Sequence, residues 1–391
     1  MKVWHFTEAA YFEGWNQDEL TRRTLRVEPP SRMVDPVIAS QLLNRYLDEW
    51  ELADELGLNI MVNEHHSTLS CMTVSAILPI AMLARRTKKA RLLFLGIPTT
   101  NRMDPMRIAE EVAYVDLVSG GRLEMGLIKG AAWELFSSNL NPVRHMERFW
   151  EAHDLIIKAL THLDGPFAWE GKYFNYRKVN VIPRCFQQPH PPVWIPGHSV
   201  STARGAAKHG HVFATFMAGK MAKMLFDAYR ETYRDTFGQD APLDRLAYLA
   251  MTAVGNDERQ VNRLVDDLMQ YPPSIGQTSP QYVNPPGYAS PADNARMLIK
   301  SGKANATFSL GAIQTIDGQP LAGDFDRAAY ARAGVLFAGT PPQVVDQIKT
   351  FSEAVGGFGH LLSMGHGGPM NHENTAASMR LMAKEVMPRL P

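Results

Sequence analysis

The sequence predicts an α/β fold: a parallel (β/α)8, or TIM, barrel with insertions in its rim loops. Two observations carry this. About eight short apolar runs recur along the 391 residues, and most are followed by a stretch of helical period, the pattern of a parallel sheet wrapped in helices. Eight βα units close into a barrel, and a barrel with elaborated loops accommodates this length as one domain spanning 1–391.

In chain order the expected strands are KVWHF (2–6), NIMVNE (59–64), RLLFLGI (91–97), RLEMGLI (122–128), PVWIPG (192–197), HVFATF (211–216), LAYLAMTAVG (246–255) and HLLSMG (360–365). The clearest intervening helix is PMRIAEEVAYVDLVSGG, where Ile108, Ala109, Val112 and Val115 recur at three- and four-residue steps and Gly120–Gly121 supply the stop. Three segments exceed a minimal barrel: 8–38, 163–190 and 271–330. The second has aromatic and β-branched residues around the turn EGK and reads as a short antiparallel excursion. The third begins YPPSIGQTSPQYVNPPGY, and a long irregular stretch of this kind is commonly a lid or binding loop. All three insertions are expected to shape a substrate site.

Composition narrows the partner. Lys plus Arg and Asp plus Glu are both 40, so no bulk field of either sign draws the protein to nucleic acid or an anionic membrane, and a small neutral molecule fits better. Cys71 and Cys185 lie far apart, giving neither a disulfide framework nor a paired zinc spacing; a reducing, cytoplasmic setting is expected. The N-terminal stretch lacks a long apolar core, and no run approaches ~18 apolar residues, so neither a signal peptide nor a membrane span is expected.

Three constellations can carry chemistry. In NEHH, a strand ending at Glu64 delivers His65 and His66 to the C-terminal rim, where barrel active sites sit. Histidine there can act as acid or base near neutral pH, with the preceding carboxylate holding its tautomer. Adjacent side chains on an extended chain point to opposite faces, so at most one of the two faces the cavity. A bland pair of polar residues at a strand end stays open beside the catalytic reading; metal ligation lacks the helix-spaced HExxH pattern.

The second, GGRLEMGLIKG (120–130), leads through a strand to a Lys-Gly exit that would put the Lys129 cation and a closely approachable backbone at the rim. An ordinary strand with a solvated lysine is the alternative. The third, PVWIPGHSVSTARGAAKHG (192–210), ends a strand at Gly197 and sets Ser199 and Thr202 where a helix begins, so hydroxyls and free N–H groups converge on one anion. Plain capping by Ser199 or Ser201 is the alternative. Two such rims suit a phosphorylated cofactor. His5, His198 and His366 close or follow strands and could line the same rim, and Met217 and Met251 could pad an apolar pocket.

Taken together, these residues resemble the bacterial luciferase-like family of flavin-dependent monooxygenases. NEHH looks like its strand-two motif, residues 95–130 are similar throughout to its longest signature, and PHPPVWIPGHSVSTARGAAKHG is similar to its phosphate region; GTPPQVVDQIKTF (339–351) and EVMPRL (385–390) also look like family features. The resemblance implies a barrel holding reduced FMN, reaction with O2 through a C4a-peroxyflavin, and oxygenation of a small organic substrate; Tyr11, Phe12, Trp15, Tyr271, Tyr282 and Tyr288 in the insertions 8–38 and 271–330 suggest an apolar or aromatic one. It implies that His65 is the catalytic histidine, with Glu64 and His66 as neighbours. Gly96 and Ile97 fall where the family often has a non-prolyl cis peptide under the flavin. Lys129 matches a phosphate-binding arginine, Ser199 and Thr202 match hydroxyl contacts to the same phosphate, and Asn63 and His198 match flavin-proximal positions. The family's reactive cysteine position is Ile128 here, so no thiol role carries over. No GxGxxG fingerprint follows an expected strand, in agreement with a separate NAD(P)H:flavin reductase supplying the reduced flavin. A homo-oligomer, a dimer by the commonest pattern, is expected. The rival readings are an F420-dependent oxidoreductase of the same fold family transferring hydride without O2, a non-catalytic flavin-binding subunit, and a metal-dependent hydrolase using His65 and His66.

Overall fold

A computed structural model describes residues 1–99, 101–102, 104–289, 291–292, 295, 313–321 and 325–391. Its sheet is built from β1 (Lys2–Thr7), β2 (Asn59–Val62), β3 (Leu92–Pro98) and β4 (Leu123–Ile128), then, beyond the hairpin β5 (Phe167–Glu170) and β6 (Asn175–Val179), from β7 (Val193–Pro196), β8 (Val212–Phe216), β9 (Leu246–Val254), β10 (Leu336–Gly339) and β11 (His360–His366). The order β1-β2-β3-β4-β7-β8 is closed by β8–β9, β9–β11 and β11–β1 pairings, all parallel, so eight strands form a complete barrel. Each corresponds to one of the expected strands. β10, only LFAG, was not among them. It pairs with residues 251–254 of β9, above the stretch 246–249 that pairs with β8, and so lengthens the wall on one side.

The strands read as apolar runs because both faces are covered. All nine residues of β9 are buried, as a parallel strand between barrel interior and helices requires. Low in the barrel the interior is plugged by aromatic rings: Trp4 and Trp194 pack edge to face at 5.3 Å, and the Trp4 indole donates to His360 Nδ1 at 3.0 Å. Above this plug the interior is open, which leaves room for a site. The helix expected after β3 spans Pro105–Ser119; Asp104 caps its start, and Gly120, at φ 64°, ends it.

Two of the three insertions cover the rim. The chain after β1 meets the segment following the helix Glu258–Leu268 through Leu25 N to Gln277 O (3.0 Å), Arg26 to Ile275 O (2.5 Å) and Gln281 to Glu28 (2.9 Å). The 163–190 insertion is the expected hairpin, but it lies against the outside of the helix His145–Thr161: Glu151 of that helix accepts from the backbone N–H groups of Lys172, Tyr173 and Phe174. None of its residues reaches the cavity described below, so the expectation that it shapes the site is corrected. Of 271–330, residues 290, 293–294, 296–312 and 322–324 lie outside the described residues.

Candidate active site

A cavity of about 550 Å³ opens at the C-terminal ends of the strands. Its lower wall is apolar, with Phe6, Met61, Leu95, Leu249, Leu362 and Met364 supplied by five different strands. Of the residues singled out from sequence, Asn63, Glu64, His65, Gly96, Lys129, His198, Ser199 and Thr202 all line it; His66 and Ile97 do not. Of the two histidines only His65 faces the cavity, but strand alternation is not the reason: β2 ends at Val62 and the consecutive Asn63, Glu64 and His65 all line the wall, while the His66 ring turns to Glu64 Oε1 at 3.0 Å. Ile97 is fully buried in the core. The non-prolyl cis peptide lies between Leu95 and Gly96, one bond before Gly96–Ile97. Met217 lines the cavity and Met251 does not. His5 and His366 do not reach it either; His366 Nδ1 donates to the buried Glu49 at 2.8 Å.

One pole is suited to an anion. Ser199 is the N-cap of the nine-residue helix Val200–Lys208: its backbone is extended (φ −127°, ψ 147°), and its Oγ accepts from Thr202 N at 3.2 Å. Capping and cavity lining are therefore the same placement. Its hydroxyl also lies 2.8 Å from Thr202 Oγ1, so two hydroxyls and a helix N-terminus meet at one corner. Gly197 permits this, since a Cβ there would come within 2.7 Å of Thr202 Cγ2. Lys129 follows β4 into the cavity wall, its Nζ 4.6 Å from the Tyr288 ring centroid. His198 opens onto the cavity, yet the enclosing walls, then the Lys129 charge, draw its pKa down to about 4, leaving a neutral ring at pH 7.

The other constellation is a polar network that sequence reading did not find. The buried Glu134, in the helix Ala132–Ser137, accepts from His65 Nδ1 at 3.0 Å, His66 N at 3.2 Å and Ala131 N at 2.7 Å. Burial alone would lower the His65 pKa, but the charge and hydrogen bond of Glu134 outweigh it, and the value is raised. The same pairing holds Glu134 below its ordinary value against its own burial. Trp133 packs beside the His65 ring at 5.7 Å, and the buried Arg26 guanidinium lies 4.3 Å from the Trp133 ring centroid. Glu8 accepts from Asn63 Nδ2 at 2.7 Å and from the buried Tyr271 hydroxyl. Two buried carboxylates thus face one buried guanidinium and one imidazole, so charges in the wall are compensated. Glu64 is otherwise committed: its Oε2 accepts from Ala76 N at 2.9 Å, where the helix Ile77–Arg86 begins. In the linear sequence Glu134 reads as an ordinary first-turn helix glutamate and Arg26 as one of many loop arginines. Nothing local marks them, because their partners are brought by other loops.

Among the described residues no helix is long and apolar enough to cross a membrane, and both cysteines are free and buried. His65 and His66 do not form a metal-type cluster with any third ligand there.

Comparison with known proteins places these observations. The sequence profile of the luciferase-like monooxygenase family matches residues 29–357. The chain is 28% identical over 184 residues to the oxygenase component of the flavin-dependent trigonelline monooxygenase of Acinetobacter baylyi, covering 46% of this chain and 50% of that protein. The match thus spans about half the length of that relative. The fold superposes on the oxygenating constituent of 3,6-diketocamphane monooxygenase from Pseudomonas putida, a type II Baeyer–Villiger enzyme in complex with FMN, with TM-score 0.70, 18% identity and coverage of 95% and 97%. It also superposes on an F420-dependent secondary alcohol dehydrogenase with TM-score 0.65, 16% identity and full coverage of both chains.

Proposed function

Because the chain belongs to the luciferase-like monooxygenase family, we propose that it is the oxygenase component of a two-component system, taking reduced FMN from a separate NAD(P)H:flavin reductase and using O2 to oxygenate a small apolar or aromatic molecule. The observation that carries the proposal is the cavity itself: an anion corner and an apolar floor share one space with a histidine–carboxylate pair. The donor set fits FMN. Lys129, Ser199, Thr202 and the N-terminus of the helix Val200–Lys208 would hold the phosphate, while Leu95, Gly96 and the apolar strand ends would bed the ring system. Bound reduced FMN would supply the electrons that activate O2.

The protein's part is then binding, orientation and proton control. With Nδ1–H donated to Glu134, His65 presents Nε2 as the position from which a proton is held or moved. Glu64 and His66 act on the same segment from behind, Glu64 by anchoring it to the next helix and His66 by giving its N–H to Glu134. Asn63 and His198 complete the polar wall of the cavity and would face the bound cofactor, and the apolar floor would exclude water. Tyr271 and Tyr288, from the third insertion, border the space left for a substrate and favour an apolar or aromatic one. The reading takes 1–391 as one domain acting in the cytoplasm, where NAD(P)H is at hand, and assembling with copies of itself.

The test is anaerobic titration with reduced FMN and, separately, reduced F420, each followed by mixing with oxygenated buffer. Saturable binding of reduced FMN, with flavin reoxidation altered by the protein, supports the proposal. Binding of F420 in preference to FMN, with no effect on O2 consumption, would replace it with hydride transfer on the same scaffold.

A further inference from the structure

Opposite the cavity, at the N-terminal ends of the strands, three histidines converge. His153 comes from the helix His145–Thr161, His209 follows the helix Val200–Lys208, and His211 directly precedes β8. One ring nitrogen from each lies within 4.8 Å of the other two. His153 and His211 are buried, and His209 is open to solvent. From this arrangement we infer a second, unassigned site: a tri-histidine centre for a divalent transition-metal ion of borderline softness, Zn2+ being the representative ion.

The donor chemistry is appropriate. Imidazole suits zinc, copper and nickel, and three protein ligands with one solvent-facing side leave a position for water. The ring orientation of His153 is prepared for this: its Nδ1 donates to Asp154 Oδ1 at 2.8 Å, so the lone pair sits at Nε2, pointing into the cluster. A carboxylate behind a histidine is the usual outer partner of a metal-bound imidazole. His153 Nε2 and His211 Nε2 share a hydrogen bond at 2.7 Å, which one ion would replace. With Zn–N near about 2.0–2.1 Å, tetrahedral ligand nitrogens stand roughly 3.3 Å apart, a spacing that falls between the 2.7 Å of the His153–His211 pair and the 4.8 Å that bounds all three nitrogens. Trp150 stacks on the His209 ring at 5.2 Å and limits its rotation.

The site would join two elements that reach the cavity at their other ends. The helix carrying His153 also supplies Met146 and Phe149 to the cavity wall, and the helix ending at His209 begins with Ser199 and Thr202. An ion at the base would tie these two helices and the start of β8 together, so its expected effect is stabilisation, independent of which cofactor fills the cavity.

The experiment uses the full chain without a polyhistidine tag, stripped with EDTA. ZnCl2 is titrated calorimetrically, CoCl2 by visible absorption, and Tm is recorded with and without metal. One ion per chain, intense tetrahedral Co2+ bands and a Tm rise reversed by EDTA are expected. His209→Ala, at an exposed position, should weaken binding at least tenfold; Asp154→Asn, which leaves all three ligands in place, should weaken it about 10- to 100-fold. No saturable uptake, or uptake of equal affinity in the wild type and both variants, would overturn the inference.

Discussion

Replacing Glu134 with Gln tests the proton-control reading most directly, since the change removes a charge and keeps the shape. The carboxylate has no exposure, and its two oxygens accept three N–H groups: Oε1 takes His65 Nδ1 and His66 N, and Oε2 takes Ala131 N. An amide offers one acceptor oxygen and turns its NH2 towards a donor, so at least one of these N–H groups loses its partner. A hydrogen bond to a charged group contributes about 1.5–3 kcal/mol, and a buried donor left unmade costs a similar amount. The variant should therefore unfold at lower urea concentration by roughly 2–4 kcal/mol of stability. The chemical effect is separate. In the wild type the Glu134 charge and hydrogen bond hold the His65 pKa above its ordinary value against burial; without the carboxylate, burial acts alone and the value falls below it. The limb of the pH–rate profile belonging to this group should move to lower pH, and oxygenation at neutral pH should fall about 10- to 100-fold. Stopped-flow oxidation of protein-bound reduced flavin across pH, with urea melts on the same samples, reads both. A variant with lowered stability but an unmoved pH limb would refute the role of Glu134 in setting the proton on His65.

Three further outcomes follow from the geometry. Lys129→Met should weaken reduced FMN about 10- to 100-fold, the worth of one charge-assisted contact, while leaving riboflavin, which lacks the phosphate, unaffected; an equal loss for both would place Lys129 elsewhere in recognition. Gly96→Ala should destabilise the fold by about 1–3 kcal/mol or more, because the added Cβ would stand 2.7 Å from the Gly126 carbonyl oxygen, a backbone atom that cannot turn aside; an unchanged urea midpoint would show slack between β3 and β4. The buried His5 and His360 have pKa values drawn down to about 4, chiefly by burial. Their contribution is complete above the unfolded value near 6.5 and is lost as pH falls towards 4, so each should remove about 2 kcal/mol between pH 7 and pH 5. The raised His65 works in the opposite sense, its contribution being complete below about 6.5 and lost as pH rises, so it offsets none of the acid loss below that point. Urea melts at pH 7 and 5 measure the sum, and a flat profile would contradict it.

The eight barrel strands were legible because a parallel strand covered on both faces must be a nearly continuous apolar run, and such runs stand out whatever lies between them. β10 was not, since four residues carry no period, and its pairing partner is more than eighty positions earlier in the chain. The anion corner was legible for a similar reason: Ser199, Thr202 and Gly197 act within one strand-to-helix turn, and local geometry leaves a local signature. His65 was legible as a rim residue, while the turn of the His66 ring to Glu64 lies beyond the end of β2 and is set by that hydrogen bond, not by strand alternation. The carboxylate that sets the proton on His65 was not. Glu134, Glu8 with Arg26, and Tyr271 come from three separate segments, and the His153–His209–His211 cluster from a helix and a loop joined only by folding. Periodicity and turn chemistry depend on neighbours along the chain, so they can be read in order; burial, which decides where a charge needs a partner and which way a pKa moves, depends on neighbours in space. The barrel and the hydroxyl-lined corner at Ser199 and Thr202 belong to the first kind of information, and the ionisation of the site to the second.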